Sequence, residues 1–275
     1  MFAFLSDFFE KNLIRCFAPI PLSACTVTKP YLLERAGIAD GTAVMIAIPY
    51  FTRFCADPTR NISAYAVSKN YHAYFDRLFD ELLPLLRKNF QNYAFAGFAD
   101  HSPVAEVEAA ALAGLGCIGE NGLLITKEYS SYVFLGTLVT DAHLEAEVHP
   151  IQRCEGCGLC KKACPMKELG VCLSALTQKK GELTDEEAAA LIRYGSAWGC
   201  DICQEVCPHT KRALQSGSIF SPIPYFYDTP TAHLTVELLD SMSDAEFEER
   251  AFSWRGRNPV RRNLLLLEKK GDELC

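Results

Sequence analysis

Two hydrophobic rhythms run along the chain. The stretch "TAVMIAIPYF" (42–51) follows the turn signal "ADG" and is almost unbroken in apolar residues, which predicts a strand buried on both faces. In "NYHAYFDRLFDELLPLLRKNF" (70–90), Tyr71, Phe75, Leu78, Leu82 and Leu86 recur at steps of four, three, four and four, the spacing of one helix face. Pro84 is expected to kink that helix or to mark a frayed turn. "YAFAGFAD" (93–100) alternates weakly as a strand and runs into the loop "DHSP". "VAEVEAAALAGLG" (104–116) is Ala-rich and helical, closing near Gly114, and "SYVFLGTLVTD" (131–141) reads as another strand. Two later helices begin at capping boxes, Thr184 with Glu187 and Ser243 with Glu246.

Strands and helices alternate up to about residue 148, which predicts a first α/β region over 1–148. Residues 149–215 are rich in cysteine and offer little for a core of their own, so a module held together by metal is expected there. Residues 216–275 form a C-terminal segment expected to pack back on the first region. Apart from two cysteine clusters, no stretch repeats.

With 49% hydrophobic and 22% charged residues, the composition is that of an ordinary globular protein. No apolar run approaches the roughly 18 uncharged residues of a membrane helix. The N-terminus meets Asp7 and Glu10 before any basic residue, unlike a secretory signal. A cytoplasmic protein is expected, and there thiols stay reduced, so thirteen cysteines point to metal ligation more than to disulfides. The net charge of −7 argues against general nucleic-acid binding. Locally the balance reverses: between Ser253 and Lys270, Arg255, Arg257, Arg261, Arg262, Lys269 and Lys270 face Glu268 alone, either a solvated helix end or a phosphate-facing patch.

"CEGCGLCKKACP" places Cys154, Cys157, Cys160 and Cys164 at spacings of two, two and three residues, ahead of Pro165. That is the run of bacterial ferredoxins, in which three thiolates wrap one cubane and the fourth serves a second cluster. "GCDICQEVCP" supplies Cys200, Cys203 and Cys207, and Cys172 lies between the groups. Crossing over in the ferredoxin manner, one [4Fe–4S] cluster takes Cys154, Cys157, Cys160 and Cys207, and the other takes Cys164, Cys172, Cys200 and Cys203. A pair of structural zinc sites is the competing reading, but it leaves the third cysteine and the Cys-Pro ending without a role. Cys16, Cys25, Cys55, Cys117 and Cys275 are read as non-ligands.

Beyond the clusters, the chain resembles the epoxyqueuosine reductases, cobalamin-dependent iron–sulfur enzymes of queuosine tRNA modification related to reductive dehalogenases. The resemblance rests on "ISAYAVSKNYH" (62–72), "FADHSPVAEVEAAALAGLGCIGENGLLI" (98–125), "EYSSYVFLGTLVTD" (128–141), "CLSALTQKKG" (172–181), "WGCDICQEVCP" (198–208) and "SWRGRNPVRRN" (253–263), in that order. It implies a mixed α/β fold: a nitroreductase-like cobalamin-binding domain with an inserted bacterial-ferredoxin-like 2[4Fe–4S] module fed by a low-potential electron donor. By residue chemistry Asp100 is a turn or cap aspartate ahead of Pro103; the resemblance makes it the proton donor beside the cobalt. That role requires it protonated near pH 7, through burial against the corrin. Leu124, Tyr129, Ser131, Tyr132, Ser174 and Thr177 are implied corrin contacts, and His72 is expected to be structural. The arginines of 253–263 are implied to face phosphate, of tRNA or of the cobalamin tail.

The chain departs from the family pattern on the substrate side. Val107, Ala111, Leu112 and Glu120 replace residues that are charged or basic in the family, and Ala64, Val67 and Ser68 replace the arginine, tryptophan and glycine of its "YAWG" region. Typical members run on into a helical-repeat tail that helps hold tRNA, whereas this sequence ends at Cys275. Two alternatives therefore stand beside the tRNA reading: a reductase of the same architecture with a small-molecule substrate, and a non-catalytic dicluster electron carrier.

Overall fold

The computed structural model describes residues 1–167 and 170–272. It divides into two compact units that interleave along the chain. The first holds 1–50, 71–157 and 213–223, and the second 51–70, 158–212 and 224–275.

The first unit begins with α1 (Phe2–Lys11), β1 (Cys16–Pro21) and α2 (Pro30–Ala36), none of which the sequence reading assigned. β2 (Thr42–Pro49) is buried at every position, as its apolar run predicts. The predicted helix follows as α3 (Tyr71–Asn89), which carries Pro84 within it and turns Phe75, Leu78, Leu82 and Leu86 inward. Next come β3 (Phe95–Ala99), α4 (Glu106–Leu112), a two-residue hairpin of β4 (Cys117–Ile118) and β5 (Leu124–Ile125), and β6 (Val133–Thr140). The four long strands form one sheet in the order β1-β2-β6-β3, antiparallel throughout.

Helices cover both faces of this sheet. α3 approaches so closely that a methyl group on Gly97 or Gly136 would fall 2.3 Å from the ring of Phe79 or Phe75. Glycine is needed at both positions for that approach. On the opposite face the alanines of α4 pack with Ile20, Met45 and Val139 in one core. The chain leaves edge strand β3 at Ala99 and enters α4 at Glu106, so the loop between them carries it from the sheet end to that second helix.

The second unit is helical: α5 (Leu159–Ala163), α6 (Leu173–Thr177), α7 (Asp185–Tyr194), α8 (Ile202–Glu205), α9 (Pro208–Ser216, its end in the first unit), α10 (Val236–Ser241), α11 (Asp244–Glu248) and α12 (Arg257–Asp272). Both predicted capping boxes are present, at Thr184 and Ser243. The cysteine-rich part does have a core, a small one: Met166, Leu173 and Leu176, with Leu183, Ala190 and Tyr194 against them. No helix among the described residues is long and apolar enough to cross a membrane.

Candidate functional site

Asp100 is the first residue past β3 and has a left-handed backbone, φ 59°. For a residue other than glycine this conformation is uncommon, and it holds the carboxyl exposed at the sheet end. Two neighbours on the first turn of α3 meet it: the Tyr71 hydroxyl donates to Oδ2, and His72 Nε2 lies 3.1 Å from the same oxygen. Tyr71, read from sequence as part of the apolar stripe, therefore spends its hydroxyl on Asp100. Its ring stacks on Phe134 of β6 at 4.0 Å and on His72 at 4.2 Å. Phe134 in turn lies 4.3 Å from Tyr50. The result is an acid beside an aromatic platform.

Within the chain itself, the groups around Asp100 set the state of its carboxyl. Partial desolvation raises its pKa, but the hydrogen bonds from His72 and Tyr71 and the charge of a protonated His72 outweigh it and hold the carboxyl below its ordinary range. A second carboxyl behaves in the opposite way. Glu106, half-buried at the start of α4, is pushed up to about 8, first by burial and then by repulsion from Asp100, against smaller opposing effects of Thr137 and Lys29. Thr137 Oγ1 lies 3.4 Å from Glu106 Oε1, and Ser102 Oγ donates to Thr137 at 3.1 Å. The sequence reading placed Glu106 only in an Ala-rich helix; the signal available was its position six residues after Asp100.

Of the implied corrin contacts, Leu124, Tyr129, Ser131 and Tyr132 belong to the first unit and are buried there, Tyr132 edge-on to Tyr50. Ser174 and Thr177 belong to the second unit, on α6. Thr177 Oγ1 donates to Ser174 O at 2.7 Å and accepts the Gly199 N–H at 2.9 Å, which ties α6 to the turn ahead of Cys200. The exposed Asp100 stands beside the half-buried rings of Tyr71 and Phe134.

The described cysteines are all free thiols. Within the second unit, Cys164 and Cys200 pack against the Met166–Leu173–Leu176 core. Burial pushes the Cys200 thiol up to about 12, and among the groups pushing the same way are Cys203 and Cys172. Cys172 and Cys203 thus lie close enough to Cys200 to affect its charge, and Cys164 packs on the same small core. α5, carrying Cys160, packs on α8, carrying Cys203. Cys207 lies in the second unit as well, whereas Cys154 and Cys157 fall in the first, Cys154 with its N–H on Ile118 O at 3.1 Å. Trp198, two residues before Cys200, is fully buried with Nε1 unpartnered, a donor of the kind that sulfur accepts. No three His, Cys, Asp or Glu side chains among the described residues converge as ligands of a single ion. The thiols of the second unit are soft donors of the kind that iron–sulfur clusters take.

Polar ties hold these loops. Asp201 is buried and accepts from Arg60 Nη1 at 2.6 Å, Ser63 Oγ at 2.5 Å, Ala64 N at 2.6 Å and Gln204 Nε2 at 3.1 Å. From α12, Asn263 Nδ2 donates to Thr177 O at 2.7 Å and to Ala197 O at 2.8 Å. The implied phosphate role of the arginines is largely displaced by such ties. Arg257 donates to Leu239 O and Met242 O, Arg261 forms a fork with Asp240, and Arg262 donates to Lys179 O and Gly181 O. Arg255 lies 3.9 Å over the exposed Trp254 ring. The side chains of Lys269 and Lys270, and Cys275 altogether, lie outside the described residues.

The other non-ligand cysteines sit as small packed thiols: burial pushes Cys16 and Cys25 up to about 11, and Cys55 is buried against Thr52.

No protein-family model matches the chain. The epoxyqueuosine reductase of Lactococcus garvieae (strain Lg2) is 36% identical over 211 residues, 72% of this chain and 58% of that protein. Among solved structures, epoxyqueuosine reductase from Streptococcus thermophilus superposes with a TM-score of 0.79 at 22% identity, covering 98% of this chain and 81% of that one. An epoxyqueuosine reductase crystallised with an epoxyqueuosine-modified tyrosine-tRNA stem loop gives 0.74 at 25% identity, covering 97% and 81%. The chain spans between half and two-thirds of the length of the first curated relatives it matches.

Proposed function

This chain is a homologue of the epoxyqueuosine reductases, and from that premise we propose that it is an iron–sulfur, cobalamin-dependent reductase that converts epoxyqueuosine to queuosine in tRNA. The observation that carries the reading is the placement of Cys164, Cys172, Cys200 and Cys203 in the second unit, with Cys164 and Cys200 against one small core, half of the dicluster ligand pattern written in the sequence. In this reading the first unit is the nitroreductase-like, cobalamin-binding part, and the cysteine loops form a ferredoxin-like module. One cluster would be held by Cys154, Cys157, Cys160 and Cys207 and the other by the four thiols named above. When bound, the clusters would pass electrons singly from a low-potential donor, and the corrin would supply the reducing centre. Leu124, Tyr129, Ser131, Tyr132, Ser174 and Thr177 would line it.

Loss of the epoxide oxygen as water takes protons as well as electrons, and in this reading Asp100 would hand a proton to that oxygen. His72 and Tyr71 orient its carboxyl from the first turn of α3. Because these partners favour the ionised form, Asp100 must take up a proton before it can give one. The test begins with anaerobic purification and reconstitution with iron, sulfide and cobalamin. About eight irons, the content of two four-iron clusters, with stoichiometric corrin and queuosine formation are expected. Asp100→Asn should keep its iron and lose turnover; unaltered turnover would remove Asp100 from the mechanism. Full iron content without corrin would leave an electron carrier.

One observation favours a smaller substrate on the same architecture: Arg257, Arg261 and Arg262 are engaged within the chain and do not present free guanidinium forks. Binding of tRNA that is absent even at low ionic strength would support that reading.

A further inference from the structure

The loop that follows Asp100 is stitched to the segment that leads into α2, and both belong to the first unit. Ala105 N–H donates to Thr26 O at 2.9 Å, and Val27 and Val104 form an antiparallel bridge. The N–H groups of Thr28 and Lys29 both donate to Pro103 O, at 2.8 and 3.2 Å, and Lys29 Nζ donates to Ser102 O at 3.3 Å. The two segments thus run past each other in opposite directions, and Ser102, Pro103 and Val104 are buried. At His101, which is exposed, the tie is made by side chains. The Tyr31 hydroxyl and His101 Nε2 lie 2.7 Å apart, with the ring centroids at 6.1 Å.

We propose that Tyr31 is a positioning residue for Asp100: through His101 it clasps the Asp100 end of the loop to α2 and fixes where the candidate acid stands. Its role rests on the reading of Asp100 as proton donor, while the clasp itself stands on geometry.

The backbone of Asp100 explains why a clasp is needed there. A residue other than glycine at φ 59° persists only where its surroundings over-determine it. On one side Ala99 is fixed by the sheet, opposite Gly136 of β6. On the other side stands His101, whose N–H turns back to Ala99 O at 2.6 Å and whose ring meets Tyr31. Asp100 is therefore bracketed between a strand and the clasp. Tyr71 and His72 then set its carboxyl, and their hold depends on the backbone beneath it staying in place.

Tyr31 suits this work. It sits on the first turn of α2, whose entry is already tied to Pro103, so its hydroxyl is carried by a segment that moves with the loop. A tyrosine hydroxyl can donate to one tautomer of His101 and accept from the other, so the bond survives either state of the ring. Small displacements of a reacting group are costly, about a hundredfold in rate for 1 Å, so a single bond beside the acid can govern turnover without governing the fold.

The deciding experiment is Tyr31→Phe in the full chain, which removes one oxygen and keeps the ring. Hydrogen exchange and NMR of ¹³C-carboxyl-labelled Asp are read with no corrin or substrate present. The His101 amide should exchange about three- to tenfold faster, while the Ala105 amide keeps its rate and the melting temperature holds. The Asp100 carboxyl should titrate nearer its ordinary 3.8 as its bonds to Tyr71 and His72 loosen. Unchanged exchange at His101 would overturn the clasp, and an unchanged Asp100 titration would overturn the positioning role. In the loaded protein Tyr31→Phe should lower kcat about three- to tenfold and leave KM in place. His101→Gln, which can still pair with the Tyr31 hydroxyl, should keep more of the rate than His101→Ala. A raised KM with kcat unchanged would place Tyr31 on the substrate and overturn the proposal, as would equal losses in the two His101 variants. Absence of turnover in the unaltered, loaded protein would count against the reductase reading instead, and the exchange and titration would still decide the clasp.

Discussion

In the first unit every residue of β2 is buried, helices close both faces of the sheet, and Asp100 projects from the end of a scaffold that apolar packing alone can hold. In the second, the cysteine loops surround a core of Met166, Leu173 and Leu176 and are fastened by Asp201, Asn263 and Thr177 to groups far away in sequence. A small core contributes little burial energy, so hydrogen bonds must carry more of the order, and in the proposed reading metal ligation would add to it. The contrast is between an acid held by packing and thiols held by polar cross-links. Losing a cofactor should therefore injure the units unequally.

The strongest test of that asymmetry is iron removal from the reconstituted protein. Hydrogen-exchange protection over 158–212 should fall by about 3 kcal/mol or more, while β2 and β6 keep theirs; equal loss in both would break the comparison. Next, Asp201→Ala removes the buried carboxylate that accepts from Arg60, Ser63, Ala64 and Gln204, the Arg60 and Asp201 side chains being 12% and 1% exposed. It should cost about 3–5 kcal/mol, seen as a lower melting temperature and reduced iron retention. Ile46→Ala, in the centre of β2, should cost about 3 kcal/mol by opening a cavity in the sheet core, with iron content unaffected.

Smaller effects sharpen the picture. Thr184→Ala removes the N-cap of α7 and should cost about 1 kcal/mol by chemical denaturation. Asp100, whose folded pKa lies below its ordinary value of 3.8, adds stability above that value and loses it as pH falls through the folded pKa. Its exposure keeps this acid-limb effect below about 1 kcal/mol. Acid titration of unfolding free energy should show the limb flattened in Asp100→Asn.

Much of the local architecture was legible in sequence. The apolar run of β2, the four-three-four-four spacing of α3 and both capping boxes appear as expected because each depends on residues within a few positions of one another. β1 was missed: two prolines in "CFAPIP" obscure a strand that forms by pairing with β2. The division of the chain was also hidden. Residues 51–70 join the second unit, where Arg60, Ser63 and Ala64 meet Asp201, and nothing in their own composition announces a partner about 140 residues away. The basic stretch misled in the same way, since charge counts do not show that Arg257, Arg261 and Arg262 already have acceptors.

Sequence by itself determined the chemistry on offer: eight cysteines at cluster spacing and an aspartate in a turn ahead of Pro103. Ligand spacing, turns and caps are short-range properties, written in consecutive residues. Only the tertiary structure decided what state that chemistry is in. Tyr71 and His72 reach Asp100 from α3, and Thr137 of β6 reaches Glu106. Charge and hydrogen-bond coupling depend on distance through space, and those distances close only when the sheet has formed.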